Sequence, residues 1–239
     1  MATPASPFEP LAHAVRRLDS VRMTYVAPPG FQFLSNRLDG DAQQSLARAI
    51  MALAEAAPFY RPVTPGGKPM SVMMTGCGPL GWVTDAAGYR YQPTHPITGQ
   101  PWPPMPAMLT DLWAELCDPI TPPDAGLINL YDAGAKMGLH QDKDEADFAF
   151  PVLSISLGDT AIFRIGGTRR GDPTASMRLA SGDVCVLAGE ARLAFHGVDR
   201  ILAGSSRLIP GGGRINVTLR RAGPAHASFE TPAGAGSSG

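Results

Sequence analysis

The chain has 239 residues and a formal net charge of −1, with 44% hydrophobic and 17% charged residues; this balance excludes a disordered polyelectrolyte and leaves ample apolar material for a core. Without net positive charge there is no global electrostatic attraction to nucleic acid, so any phosphate contact must come from a local patch. Cys77, Cys117 and Cys185 are the only cysteines and form no CxxC pair, which excludes a disulfide framework and a structural zinc site and fits a reducing cytoplasm.

Residues 1–20 are rich in Pro, Ala and Ser and read as a flexible N-terminus without the apolar stretch of a signal peptide. No later segment has the roughly 18 apolar residues of a membrane helix, so a soluble protein is expected. One domain over 21–222 is predicted, with the Gly- and Ser-biased 223–239 as a flexible tail. Between Asp41 and Ala57, the capping pair Asp41 and Gln44 precedes Leu46, Ile50 and Leu53 at helical spacing. A second helix is expected from about Pro104 to Cys117, with Met105, Met108, Leu109, Leu112 and Leu116 on one stripe and a stop before Pro119. From Leu127 onward the pattern becomes short alternating runs, LINLY, PVLSISLG, AIFRIGG, GDVCVLAG, ARLAFHG and RINVTLRR, separated by Gly-rich turns. The 27 Gly and 24 Pro support the same reading, a mainly β (α+β) protein built as a double-sheet sandwich or jelly roll with helices on one face.

His140 and Asp142 stand two apart in LHQDKD, so in an extended segment both side chains leave the same face and can share one ion. A His-x-Asp pair with one distant His leaves coordination positions open, the facial arrangement of non-haem Fe(II). His196, at the end of ARLAFHG, is the best third ligand; His13, His95 and His226 read as ordinary surface residues. In RINVTLR one strand face carries Arg214, Asn216, Thr218 and Arg220, and in LINLY Asn129 and Tyr131 share a face. Alone, RINVTLR equally describes a half-exposed strand with its polar side in water. Together with three ligands, the two polar faces fit a polar barrel interior. There Arg214 or Arg220 clamps a carboxylate and Asn129, Tyr131 and Asn216 complete its hydrogen bonds, which suits 2-oxoglutarate.

NLYDAGAKMGLHQDKDE, SISLGDTAIFRIGG, FHG and RINVTLR, with MTGCGPLGW and GYRYQP upstream, resemble the AlkB-type Fe(II)/2-oxoglutarate-dependent dioxygenases from about Met70 to Arg221. The resemblance implies a double-stranded β-helix with supporting N-terminal helices, a nucleotide-recognition lid over about 70–100 and a jelly-roll catalytic core over about 127–221. It implies that His140, Asp142 and His196 bind iron and that Asn129, Tyr131, Arg214, Asn216 and Arg220 hold 2-oxoglutarate. Trp82 resembles the residue that stacks on a flipped base opposite His140. Tyr89, Arg90 and Tyr91 resemble the lid that meets the strand, and Asp144, Glu145 and Arg170 match further substrate-side positions. The implied reaction is oxidative demethylation of bases such as 1-methyladenine and 3-methylcytosine, in single- or double-stranded DNA or in RNA, by a monomeric cytoplasmic enzyme using O2 and releasing formaldehyde, succinate and CO2. Methylation at those ring nitrogens leaves a cationic base that pairs poorly and flips readily, which Asp144 would favour by charge. The alternatives are an oxygenase acting on a protein or small molecule and a non-catalytic metal- or nucleic-acid-binding β-sandwich. The segment before LINLY and the Gly211–Gly213 stretch lie where the family varies, so substrate preference does not carry across them.

Overall fold

The computed structural model describes residues 27–223, so the expectations for 1–20, for most of the tail and for His13 and His226 lie outside the described residues. Its strands are β1 (Phe31–Leu34), β2 (Met73–Cys77), β3 (Gly81–Asp85), β4 (Gly88–Gln92), β5 (Ala125–Tyr131), β6 (Met137–His140), β7 (Val152–Gly158), β8 (Thr160–Gly166), β9 (Thr174–Leu179), β10 (Val184–Leu187), β11 (His196–Leu202) and β12 (Arg214–Arg220). Two helices, α1 (Gly40–Ala56) and α2 (Ala107–Leu116), and a 3-10 turn at Gly189–Leu193 complete the set. A six-stranded sheet in the order β1-β10-β7-β12-β5-β2 faces a four-stranded sheet in the order β6-β11-β8-β9, and β3 and β4 form a separate hairpin. This is a jelly roll.

Period-two alternation divides the large sheet into two environments. Ile215, Val217 and Leu219 of β12, with Ile128, Ile155 and Val186, pack against Leu46 and Ile50 of α1 and Leu109 and Trp113 of α2. Tyr131, Val152, Cys185 and Leu187 point the other way and join Phe163, Ile165, Val198 and Ile201 of the small sheet. A one-residue slip of β12 would drive Arg214 and Arg220 into the apolar layer beneath the helices and expel three fully buried aliphatic side chains. At about 1.5–3 kcal/mol per buried side chain, the register is strongly fixed, with Asn216 opposite Asn129 and Arg214 opposite Tyr131.

Several local expectations are corrected. Helix α1 is capped by Asp39, whose side chain accepts from Ala42 N at 2.9 Å, and Asp41 lies in the first turn. Asp39 is extended (φ −68°, ψ 175°), the geometry an N-cap requires, two residues before the start of the predicted pair. Helix α2 starts three residues late because Pro106 holds an extended ψ of 136° at its N-cap. ARLAFHG is not one strand: Leu193 and the residues before it close the 3-10 turn, and β11 begins only at His196. His95 is buried, not surface: its ring lies between Tyr60 and Trp102, with Nδ1 accepting from Ile97 and Thr98 N and Nε2 2.9 Å from Pro58 O. Burial lowers its pKa and keeps it neutral. Within 70–100, β2 joins the edge of the large sheet, and the β3–β4 hairpin stands apart from it. Among the described residues, no helix is long and apolar enough to cross a membrane.

The corner between β7 and β8 fixes the approach to β12. Asp159 is buried and its carboxylate accepts from the backbone N–H groups of Gly204, Ser206 and Gly213 at 3.2, 2.9 and 3.1 Å, pinning the loop that delivers Arg214. Burial would push this carboxyl up, but those donors prevail and hold it below the usual carboxylate range. Asp159→Ala is therefore expected to lower the unfolding free energy by about 2–3 kcal/mol in urea titration. The wild-type contribution is present above about pH 4, the unfolded carboxylate value, and is lost as pH falls through the depressed folded value.

Candidate active site

Strands β6 and β11 pair so that His140 and His196 sit directly opposite each other, with ring centroids 4.5 Å apart. His140 is the last residue of β6 and Asp142 lies just beyond the strand end. The Asp142 carboxylate reaches back to 3.7 Å from His140 Nε2 and 3.8 Å from His196 Nε2. One ligand atom from each of the three residues lies within 4.8 Å of the others, a spacing that one ion can bridge. Each imidazole has Nδ1 at 2.9 Å from a backbone carbonyl, Gly138 O for His140 and Ala194 O for His196. A carbonyl only accepts, so each Nδ1 carries the proton and each Nε2 presents its lone pair to the ion. Burial, reinforced by the neighbouring His140, lowers the His196 pKa to about 4 and keeps it neutral for ligation. Gly197 permits this pairing, because a Cβ there would stand 2.6 Å from Met137 O and 2.9 Å from Gly138 O.

Burial alone would raise the pKa of Asp142, yet Arg220 and the two histidines hold it well below the usual carboxylate range. Arg220 Nη2 donates to Asp142 Oδ2 at 2.7 Å. Its Nε lies 3.1 Å from Glu145 Oε1, within ion-pair range but off the hydrogen-bonding line.

Beside the trio lies a cationic pocket with spare donors. Arg214 is 1% exposed and, among the described residues, pairs with no carboxylate. Its Nη2 donates to Ser156 Oγ at 2.7 Å and its Nη1 to Leu179 O at 3.2 Å, while Nε, like Arg220 Nη1 and the buried Asn129 Oδ1, has no hydrogen-bond partner. Burial without a counter-ion lowers the Arg214 pKa. A buried guanidinium left without an anion is costly, so this pocket fits a ligand that supplies a carboxylate. Asn216 is instead tied to Ser154 Oγ and Ile155 O. Tyr131 is buried, and burial raises its phenol to about 12.

A single cavity of about 510 Å³ runs from this pocket past the trio to the β3–β4 hairpin, and every predicted site residue except Arg90 lines it. Arg90 turns outward to a two-point pair with Asp85 at 2.9 and 2.7 Å, on the opposite face of β4 from Tyr89 and Tyr91. Trp82 stacks on Tyr89 with 5.6 Å between centroids and donates from Nε1 to Asp144 Oδ2 at 2.8 Å. Arg170 lies over the Phe195 ring at 5.1 Å. Glu145, expected on the substrate side, is turned inward, its side chain 2% exposed and bound by Tyr91 and Arg192. Sequence reading passed over Arg192 and Gly197; a charged residue inside the apolar run of ARLAFHG was the available signal for the first.

The model of the 2OG-Fe(II) oxygenase superfamily matches residues 30–220. An alpha-ketoglutarate-dependent dioxygenase AlkB homologue of Caulobacter vibrioides is 64% identical over 88% of this chain and 96% of its own. The alpha-ketoglutarate-dependent dioxygenase AlkB of Escherichia coli K12 is 46% identical over 77% of this chain and 86% of its own. The solved structure of OsALKBH1 superposes with a TM-score of 0.68 at 32% identity, over 82% of this chain and 99% of that one. The chain belongs to the iron(II)- and 2-oxoglutarate-dependent oxygenases and, within them, to the AlkB family. It is a dioxygenase that takes Fe(II) and 2-oxoglutarate, and the unpartnered donors and the converging Nε2 atoms described above suit both. The non-catalytic sandwich is thereby set aside.

The tight β6–β11 approach gives one direct prediction. Gly197→Ala must part the two strands and should weaken Co(II) binding at least about tenfold, read by visible absorption titration, with the circular dichroism of the metal-free protein unchanged. Unaltered affinity would show that the strand spacing does not set the ligand geometry.

Proposed function

We propose that this dioxygenase reverses N-alkylation damage by oxidative demethylation of bases such as 1-methyladenine and 3-methylcytosine, in DNA first and in RNA as a second substrate. It would act as a monomer in the cytoplasm, where its three unpaired cysteines suit a reducing compartment. The observation that carries the reading is the continuity of one cavity from the metal trio to the aromatic hairpin, with a carboxylate beside the stacking surface.

Bound Fe(II) with 2-oxoglutarate and O2 supplies the oxidation that turns an N-methyl into an N-hydroxymethyl group, which then loses formaldehyde and restores the base. His140, Asp142 and His196 hold the metal through two imidazole Nε2 atoms and the carboxylate. Arg214, Arg220, Asn129 and Tyr131 would orient the cosubstrate from β5 and β12, with Asn216, whose amide is tied to Ser154 and Ile155, beside them in the cavity wall, and Arg214 would meet its free carboxylate. Trp82 provides a stacking surface that tolerates any base, and Tyr89 and Tyr91 cover the cavity and keep water from the reacting carbon. Asp144 is held against the edge of the indole by the Trp82 hydrogen bond, so its negative charge lies beside a base stacked there.

That placement separates cationic from neutral lesions. At about 4 Å in water-like surroundings one unit charge contributes about 1 kcal/mol, so Asp144→Asn is expected to cut kcat/KM for 1-methyladenine oligonucleotides roughly fivefold. The neutral 1-methylguanine should be little affected; an equal loss on both would remove the charge-selection argument. Formaldehyde release from single-stranded oligonucleotides carrying these bases, with Fe(II) and 2-oxoglutarate, provides the measurement, and His140→Ala should abolish it. Cosubstrate turnover without formaldehyde would move the activity to a protein or small-molecule substrate.

A further inference from the structure

Arg192 is among the largest fully buried side chains in the molecule, lies outside the metal trio and the carboxylate pocket, and does not line the cavity. Each of its nitrogens has a different target. Nε donates to Phe150 O at 2.9 Å, Nη1 to the backbone carbonyl of Asp142 at 2.6 Å and Nη2 to Glu145 Oε2 at 2.9 Å. Its guanidinium also lies over the Phe148 ring at 5.3 Å. The segment 142–150, which leaves the strand end bearing His140, is thus held at both ends and in its middle by one side chain.

Glu145 closes the arrangement. Its Oε2 takes the Arg192 donor, while Oε1 accepts from the Tyr91 hydroxyl at 2.5 Å and lies 3.1 Å from Arg220 Nε. Arg220 in turn holds the Asp142 carboxylate through Oδ2. Asp142 is therefore gripped at its main chain by Arg192 and at its side chain by Arg220, and both arginines meet on a carboxylate that the β3–β4 hairpin touches through Tyr91. The side chains of Arg192 and Glu145 are each 2% exposed and that of Arg220 is 6% exposed, so solvent screening is weak and each ion is costly to leave unpaired.

We propose that Arg192 and Glu145 are positioning residues that couple the seating of the aromatic hairpin to the placement of the metal ligand Asp142. Through them Tyr91, which ligates nothing, raises metal affinity, and metal binding in turn steadies the hairpin, because coupling between two sites is reciprocal. Glu145 is thereby an internal strut; the acidic group offered to substrate is its neighbour Asp144. The inference rests on the iron site read above.

The test uses Co(II) alone as the probe, with no cosubstrate or substrate present, and reads its dissociation constant from the visible absorption of the bound ion. Tyr91→Phe removes only the hydroxyl that donates to Glu145 and is expected to weaken Co(II) about threefold, and Arg192→Lys and Glu145→Gln about tenfold or more, the usual scale for groups that support a ligand from behind. Because Tyr91 and Arg192 act through one carboxylate, the double variant should weaken binding less than the product of the two single effects. Unchanged circular dichroism of the metal-free variants excludes unfolding, and Arg37→Lys, whose pair with Glu115 of α2 lies on the helix side of the large sheet, should bind as wild type does. If Tyr91→Phe and Glu145→Gln both bind Co(II) within twofold of wild type, or if the two effects simply multiply, the coupling does not exist. Failure of the wild-type protein to bind Co(II), or undiminished binding by His140→Ala, would instead contradict the iron site itself.

Discussion

The inner face of β12 carries two arginines into the interior of a jelly roll, between strands that offer them only neutral polar groups such as Asn129, Tyr131, Ser154 and Ser156. A guanidinium has no neutral alternative at physiological pH, so each must meet negative charge or strong acceptors there. Arg220 finds Asp142 and Glu145 within the chain. Among the described residues, Arg214 finds only a serine hydroxyl and main-chain carbonyls, with one nitrogen unpartnered. The first arginine holds Asp142 as a carboxylate beside the two imidazoles, and the second leaves a place that suits an incoming carboxylate. Both halves of the site follow from one strand whose opposite face is fixed by Ile215, Val217 and Leu219 under the helices.

The buried end of the cavity carries Arg214 and Arg220, while its exposed lining carries both signs, Lys143 and Arg170 with Asp144. Positive charge at Arg214 and Arg220 is deep; the metal trio lies between; the negative charge of Asp144 is near the mouth, held by Trp82. On the proposed reading, the anionic cosubstrate goes to the arginines and a cationic base to Asp144, so that neither competes for the other's place. The chain needs no overall positive charge for this, in keeping with its net charge of −1.

What was legible in the sequence follows from periodicity. RINVTLR and LINLY showed which side chains share a face because a strand alternates strictly, and their register in the folded protein places Arg214 by Tyr131 and Asn216 by Asn129. The His140, Asp142 and His196 set was legible because two residues of one extended segment point together and only one other histidine closed a β-run. Direction was lost where alternation stops. In the loop after β6, Asp144 and Glu145 are adjacent and turn opposite ways, one to the mouth and one to the interior, and the partners that decide, Trp82 for the first and Tyr91, Arg192 and Arg220 for the second, come from other segments of the chain. The burial of His95 is hidden for the same reason: a Pro-rich segment shows no period, and its ring is covered by Trp102 within that segment and by Tyr60, distant in sequence. Arg90 was grouped with its neighbours by motif, whereas strand alternation sends it to the other face.

The account stands on the claim that the metal trio and the Arg214 cradle form one chelation site. An anaerobic titration of the Fe(II)-loaded protein with 2-oxoglutarate tests this directly, followed by the visible charge-transfer absorption of a keto acid chelated to Fe(II). A saturable band should appear in the wild type, and its midpoint should rise about 10- to 100-fold in Arg214→Gln, the scale of one lost charge-assisted hydrogen-bonded pair. No band in the wild type, or the same midpoint in the variant, would contradict the shared site.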